Sequence, residues 1–150
     1  MKQIKYKETQ YGILLNVVLA ISILFSFFTY SKVINESGAV ILLIVIFLII
    51  ILWLLLYKIT IIITDDVISA IFGIGLLKKE IPLKEIDFST LEVVKPSMLT
   101  GIGIRYTTKG WLWNVKFGKA IYFKTKTGKT FFVGTDEADK IRDLLLKFKN

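Results

Sequence analysis

The feature that most constrains this chain is an unbroken apolar run from Ala39 to Tyr57, which contains no charged and no strongly polar residue. A membrane core about 30 Å thick is spanned by about 20 such residues in a helix. A surface helix of a soluble protein would keep a polar face, and this run has none. The run therefore predicts a transmembrane helix.

A less apolar stretch, from Tyr11 to Tyr30, lies before this run. Its basic start, with Lys2, Lys5 and Lys7, is also typical of a secretory signal peptide. However, its apolar part is longer than the usual ~7–15 residues, and no small-residue cleavage site follows it. We therefore expect a transmembrane hairpin, with helices over about residues 11–30 and 39–57.

Three hydroxyl side chains of the earlier stretch, Ser22, Ser26 and Thr29, fall on one face of a helix. Small residues at this spacing allow two membrane helices to approach closely. Alternatively, each hydroxyl donates a hydrogen bond to a carbonyl of its own helix. The sequence leaves both interpretations open.

The distribution of lysines predicts the orientation of the hairpin. The connecting loop, Ser31 to Gly38, has only Lys32, which Glu36 offsets, whereas lysines are more frequent before and after the two helices. Short segments rich in lysine and arginine remain on the cytoplasmic side. We therefore expect a multi-pass cell-membrane protein with both termini in the cytoplasm and this loop outside.

The residue types argue against an enzyme. The chain has no cysteine and no histidine, and histidine is the commonest general base and transition-metal ligand. Asp65 and Asp66 are adjacent, which suits a turn better than an acid/base pair. The acidic residues Asp136, Glu137 and Asp139 are explained by the start of a helix, where the helix dipole favours negative charge. We expect no catalytic residue, no metal and no cofactor.

The remainder of the chain, residues 58–150, is expected to form a cytoplasmic domain that follows the membrane region 1–57. Short β-branched and aromatic segments alternate there with turn residues, which is typical of an antiparallel sheet or barrel. We predict seven strands, over about residues 58–64, 67–72, 76–81, 86–95, 103–107, 119–124 and 130–134. A helix then follows Thr135, and its apolar face must be buried against the sheet; this face consists of Ile141, Leu144, Leu145 and Phe148.

Several segments of this domain resemble the bacterial pleckstrin-homology-domain membrane proteins, in which membrane helix pairs are followed by such a barrel. The resemblance is carried by Tyr57–Ile61, Asp65–Asp66, Gly73–Gly75, Ile81–Ile86 and Gly128–Thr135. It implies an α+β membrane protein with a two-helix transmembrane hairpin and a seven-stranded pleckstrin-homology-like (PH-like) β-barrel or sandwich capped by a C-terminal α-helix. It implies no catalytic residues. Phosphoinositide binding is not expected, because the loop between the first two predicted strands is short and acidic instead of long and basic.

Two candidates for partner contact, Trp111 and Trp113, lie between the fifth and sixth predicted strands. Their segment, Gly110 to Gly118, is rich in glycine and cations, so it can leave the sheet and present both rings to a partner or to lipid. Alternatively, the rings fold back and cap the barrel core, since tryptophan is usually largely buried. The surrounding cluster also contains Arg105, Tyr106, Lys109, Lys116 and Phe117.

The second set of binding candidates, Lys124, Lys126 and Lys129, surrounds one predicted hairpin tip. Lysines close to a bilayer are attracted to anionic lipid, but the same residues also fit a solvated basic rim on the cytoplasmic side. Nucleic-acid binding is not expected, because it requires stacking aromatics beside the charge and is disfavoured by a membrane tether.

The sequence thus favours a non-enzymatic, membrane-anchored PH-like module for protein–protein assembly at the cytoplasmic face of the membrane. Its expected partners are the lipid bilayer and either another protein or a second copy of the chain. Two alternatives stay open. One is recognition of anionic lipid through the lysines, and the other is a resistance or immunity factor that acts against membrane-active peptides.

Overall fold

The computed structural model describes residues 3–32 and 36–149, without the side chains of Glu36 and Ser37. Three α-helices and nine strands follow one another in these residues: β1 Ile4–Tyr11, α1 Ile13–Tyr30, α2 Glu36–Leu56, β2 Lys58–Thr64, β3 Val67–Phe72, β4 Leu77–Pro82, β5 Ile86–Val94, β6 Gly103–Thr107, β7 Gly110–Asn114, β8 Ala120–Thr125, β9 Thr130–Gly134 and α3 Ala138–Leu146. The architecture is α+β, as predicted.

The two long helices, α1 and α2, are apolar and long enough to cross a membrane, and most of their side chains are exposed on the protein surface. They lie within a few residues of the predicted ranges. For the three hydroxyl residues on one face of α1, both interpretations hold in part. Ser26 is buried, whereas the hydroxyls of Ser22 and Thr29 donate to carbonyls of their own helix at 2.9 Å. Residues 33–35 of the predicted external loop, and Lys2 of the basic start, lie outside the described residues.

The segment before the first helix forms β1, a strand that the sequence pattern did not predict. It pairs in antiparallel fashion with β2, from Ile4 opposite Thr64 to Tyr11 opposite Lys58. The helical hairpin therefore connects two neighbouring strands of one sheet. The strand was missed because its inward face carries a tyrosine, a glutamate and a glutamine instead of an apolar alternation.

The strands form two separate open sheets, so the predicted barrel or sandwich is not a closed barrel, and the described residues hold nine strands instead of the predicted seven. One sheet has the order β1-β2-β3-β4, and the other has the order β5-β8-β9-β7-β6. All pairs are antiparallel except β7 with β9. The second unpredicted strand is β7. It occupies the first half of the glycine-rich segment Gly110–Gly118, for which projection from the sheet and folding back onto the core were both left open. The strand was missed because the glycines and cations weaken the strand pattern there.

The main core lies between the two sheets and is closed on one side by α3. Phe123 and Phe131 stack with ring centroids 4.9 Å apart, and both are fully buried. On α3, Ile141 and Leu145 are fully buried. Leu144, and Phe148 just after the helix, pack partly against the same core. The predicted apolar face of the last helix is therefore confirmed.

Candidate binding site at the junction of helices and sheets

The turn between β3 and β4 packs against the last turn of α2. The Ile74 N–H donates to the Leu54 carbonyl at 3.1 Å, which satisfies a carbonyl that has no partner within the helix. Gly73 has a φ of +50°, and a Cβ at this position would lie 2.1 Å from the Leu54 oxygen. Only glycine fits both the left-handed conformation and the close approach, so this residue fixes the sheet to the helix end.

A second contact at the same junction is made by Asn16 in the first turn of α1. Its side-chain oxygen accepts a hydrogen bond from the Trp53 indole at 3.0 Å, and its amide donates to the Tyr57 carbonyl at 3.3 Å. The Tyr57 ring lies 6.3 Å from the Trp53 ring and 6.4 Å from the Tyr11 ring. The helix ends that face the sheets are thus surrounded by aromatic rings with polar tips.

Between these helix ends and the five-stranded sheet lies a partly open cavity of about 500 Å³. One wall is formed by leucines of both helices, Leu15, Leu52, Leu55 and Leu56. Leu77 of β4 and the segment 102–105 at the start of β6 form the other wall. The lining side chains are apolar except for that of Arg105. We name this space the junction cavity.

Arg105 lies exposed at the rim of the junction cavity. Its Nε donates to the Ile102 carbonyl at 3.1 Å, which holds the guanidinium beside the cavity. Within the described part of the chain, no carboxylate forms an ion pair with it. Other cations of the same predicted cluster are paired: Lys109 with Glu92, and Lys116 with Asp136.

The two candidate tryptophans have different environments. Trp111 is 51% exposed and meets Tyr106, which is 74% exposed, in an edge-to-face contact with ring centroids 5.4 Å apart. Trp113 points to the same side of β7 but packs against the core, with its ring 5.5 Å from that of Phe72. The core interpretation is therefore supported for Trp113, whereas Trp111 is available for contact.

Lys79 of β4 is partly buried and lies over the ring of Trp113. Its ammonium is 5.8 Å from the centre of that ring. Burial lowers the pKa of Lys79 below the ordinary lysine value, because the charged form is poorly solvated there. Trp113 is paired with Ile104, and Lys79 is two residues from Leu77. Because Ile104 and Leu77 both line the junction cavity, the Lys79 ammonium lies next to it.

The candidate lysines Lys124, Lys126 and Lys129 lie around the turn between β8 and β9, at the pole opposite the helices. The Lys126 N–H donates to the Glu85 carbonyl, and Leu83 of the same β4–β5 connection donates to Asp66. β2 begins directly after α2 and ends just before Asp66. A seven-residue strand is about 20 Å long, so the length of β2 separates this pole from the ends of the helices. The structure therefore separates these lysines from the junction cavity but not from Trp111. β7 and β9 run parallel, and Gly110, next to Trp111, lies against Thr130, next to Lys129.

The acidic residues near the start of α3 form a network that supports the fold. The Tyr6 hydroxyl donates to Glu8 at 2.9 Å and to Glu137 at 2.8 Å, and Glu8 also accepts from the Asp136 N–H at 3.0 Å. Burial, reinforced by the two carboxylates, raises the pKa of Tyr6 far above its ordinary value. The hydrogen bond from Lys140 holds the pKa of Glu137 low. No group of acidic residues suited to a metal ion is found in the described ranges.

Sequence reasoning identified Arg105 and the tryptophans but missed the junction cavity. The cavity arises where α2 meets β6, and these elements are far apart in the chain. In the sequence, only Asn16 pointed to a junction at this place, because it is a polar residue in an apolar stretch. The chain matches no family model, no curated protein and no solved structure.

Proposed function

We propose that this chain is a non-enzymatic, membrane-anchored module with a PH-like domain that assembles with a protein partner at the cytoplasmic face of a bacterial-type membrane. The observation that carries the proposal is the exposed Tyr106–Trp111 pair, in which Tyr106 lies on the edge strand β6 of the five-stranded sheet and Trp111 on its neighbour β7. The partner is either another protein or a second copy of the chain.

The pairing of β1 with β2 supports the proposed topology. These strands flank the helical hairpin and are in register up to Tyr11 and Lys58. If the two helices cross a membrane, both strands must lie on the same side of it, because otherwise they could not pair. The lysine-rich flanks and the lysine-poor connection favour the cytoplasm as that side.

The aromatic pair has the features of a protein contact site. Large rings contribute most to binding when a partner covers them, and tyrosine and tryptophan are enriched at such positions. β6 is an edge strand, so its outer backbone groups can also pair with a strand of a partner. Tyr106 and Trp111 need no rearrangement to be covered, since both rings already face solvent.

Affinity capture of the full chain from mild detergent, followed by mass spectrometry, tests the proposal. The double variant Tyr106→Ala/Trp111→Ala should lose the captured partner, or its self-association, without losing thermal stability. The matched control is Phe117→Ala. It removes another exposed aromatic ring, which is 40% accessible and lies outside the strands. Equal capture by the wild-type protein and the double variant would refute this contact surface.

A further inference from the structure

We propose that the junction cavity binds one acyl chain of an anionic membrane lipid, with Arg105 contacting the phosphate of its headgroup. This inference rests on the proposed insertion of the helical hairpin into a membrane. It does not depend on the Tyr106–Trp111 contact surface, so the two proposals can fail separately.

The depth of the junction cavity in a membrane follows from the rings around it. Tryptophan and tyrosine at helix ends prefer the headgroup region of a bilayer. Trp53 belongs to the same turns of α2 as Leu52, Leu55 and Leu56, which line the cavity. If the hairpin spans a bilayer, the cavity therefore lies where acyl chains meet headgroups.

The size and lining of the cavity favour an apolar chain. Ligand pockets in proteins usually have volumes of about 300–1,000 Å³ and are mainly apolar, with a few polar groups that orient the ligand. The junction cavity, at about 500 Å³, falls in this range. Water in this cavity would find few hydrogen-bond partners on the leucine wall. A lipid acyl chain needs no hydrogen bonds and can fill the same space.

Arg105 provides the charge complementarity that selects an anionic lipid. A guanidinium binds phosphate oxygens through paired N–H donors. The hydrogen bond to the Ile102 carbonyl keeps the group at the rim of the cavity, on the side of the sheet. Lys109 and Lys116 are poorer candidates for this role because Glu92 and Asp136 already neutralise them.

Exposed apolar side chains beside the cavity agree with contact to lipid. Ile74 and Leu76 are 57% and 74% exposed, although their turn is hydrogen-bonded to Leu54 at the end of α2. On a soluble surface these side chains would face water. At the surface of a bilayer they face the same apolar medium as the cavity opening.

The test uses the full chain reconstituted in vesicles of equal phosphatidylglycerol and phosphatidylcholine, then extracted in mild detergent. Mass spectrometry of the intact complex counts the retained lipids. The wild-type protein should retain phosphatidylglycerol in preference to phosphatidylcholine. Arg105→Gln should reduce that preference about fivefold, the effect of losing one cation near a lipid surface, while lipid is still retained. Ile102→Trp should fill the cavity and abolish retention of both lipids.

Lys124→Gln is the matched control. It removes a cation at the opposite pole, so the retention of both lipids should stay unchanged. An unchanged phosphatidylglycerol preference in Arg105→Gln overturns the headgroup assignment, and lipid retention by a folded Ile102→Trp overturns the cavity assignment. If Ile102→Trp does not fold, the lipid preference of Arg105→Gln, a substitution at an exposed position, decides whether the proposal stands. Flotation with the vesicles is measured in parallel. A chain that does not float contradicts membrane insertion, and with it the proposal.

Discussion

The Trp53 indole donates a hydrogen bond of 3.0 Å to the side-chain oxygen of Asn16, which links the last turn of α2 to the first turn of α1. The same amide donates to the Tyr57 carbonyl, at the point where the chain enters the four-stranded sheet. One side chain thus connects both helices and the sheet. This accounts for an asparagine in an apolar stretch, where an unpaired amide would be unfavourable.

Replacing Asn16 by Leu should lower the stability of the full chain in detergent by about 1–3 kcal/mol, because the Trp53 N–H loses its acceptor in a partly apolar environment. Thermal unfolding followed by tryptophan fluorescence measures the effect. Ser22→Ala serves as the control, since that hydroxyl bonds only to its own helix. Equal midpoints for the two variants would show that the Asn16 link does not stabilise the junction.

Trp113→Ala and Trp111→Ala form a matched pair on one strand. Trp113 packs against the core, so its truncation should cost about 3 kcal/mol, at the low end for tryptophan because the ring is partly accessible. Truncation of the exposed Trp111 should cost less than about 1 kcal/mol. Denaturation midpoints of the two variants decide the matter, and a reversed order would contradict the assignment of core and contact roles.

Gly73→Ala should separate the β3–β4 turn from the end of α2. A Cβ at this position would overlap the Leu54 oxygen, in addition to the strain of about 1–2 kcal/mol that a left-handed conformation imposes on alanine. Gly128→Ala is the matched control, because Gly128 also has a positive φ of 84° but has open space around it. We expect a lower melting temperature for the Gly73 variant than for the control.

Tyr6→Phe should destabilise the attachment of β1 to α3 by about 1.5–3 kcal/mol at neutral pH, the usual range for hydrogen bonds to charged groups. The folded state raises the pKa of Tyr6, so this contribution is complete below about pH 10, the ordinary tyrosine pKa. Above that pH the unfolded chain releases the proton more readily, and the contribution declines.

The difference in melting temperature between the wild-type protein and Tyr6→Phe should therefore be constant from about pH 7 to 9 and become smaller above about pH 10. The exposed Tyr106→Phe provides the reference for general alkaline effects. A difference that grows at alkaline pH would contradict the role of the Tyr6 proton.

Single cysteines test the orientation of the hairpin, since the natural chain has none. With both termini in the cytoplasm, a membrane-impermeant thiol reagent should label Ser31→Cys in intact cells and fail to label Lys126→Cys. Labelling of both positions after cell lysis confirms that each thiol is reactive. The inverse labelling in intact cells would place the sheets outside.

Periodic patterns predicted the parts of the fold that carry apolar faces. The two helices, the strands of the main core and the buried side of α3 all have such faces, with Ile141 and Leu145 as the clearest examples. β1 could not be predicted, because its inward Tyr6, Glu8 and Gln10 are satisfied by partners more than 120 residues away. The site shows the same limit: Arg105 is visible in the sequence, but the cavity beside it depends on tertiary contact.

The position of the helical hairpin between β1 and β2 sets an order on biosynthesis. The ribosome makes β1 first, and its partner strand emerges only after both helices have been completed. The four-stranded sheet therefore cannot be completed until both helices have been synthesised. A chain whose hairpin is misdirected would leave an edge of β2 without its partner, and such edges promote aggregation.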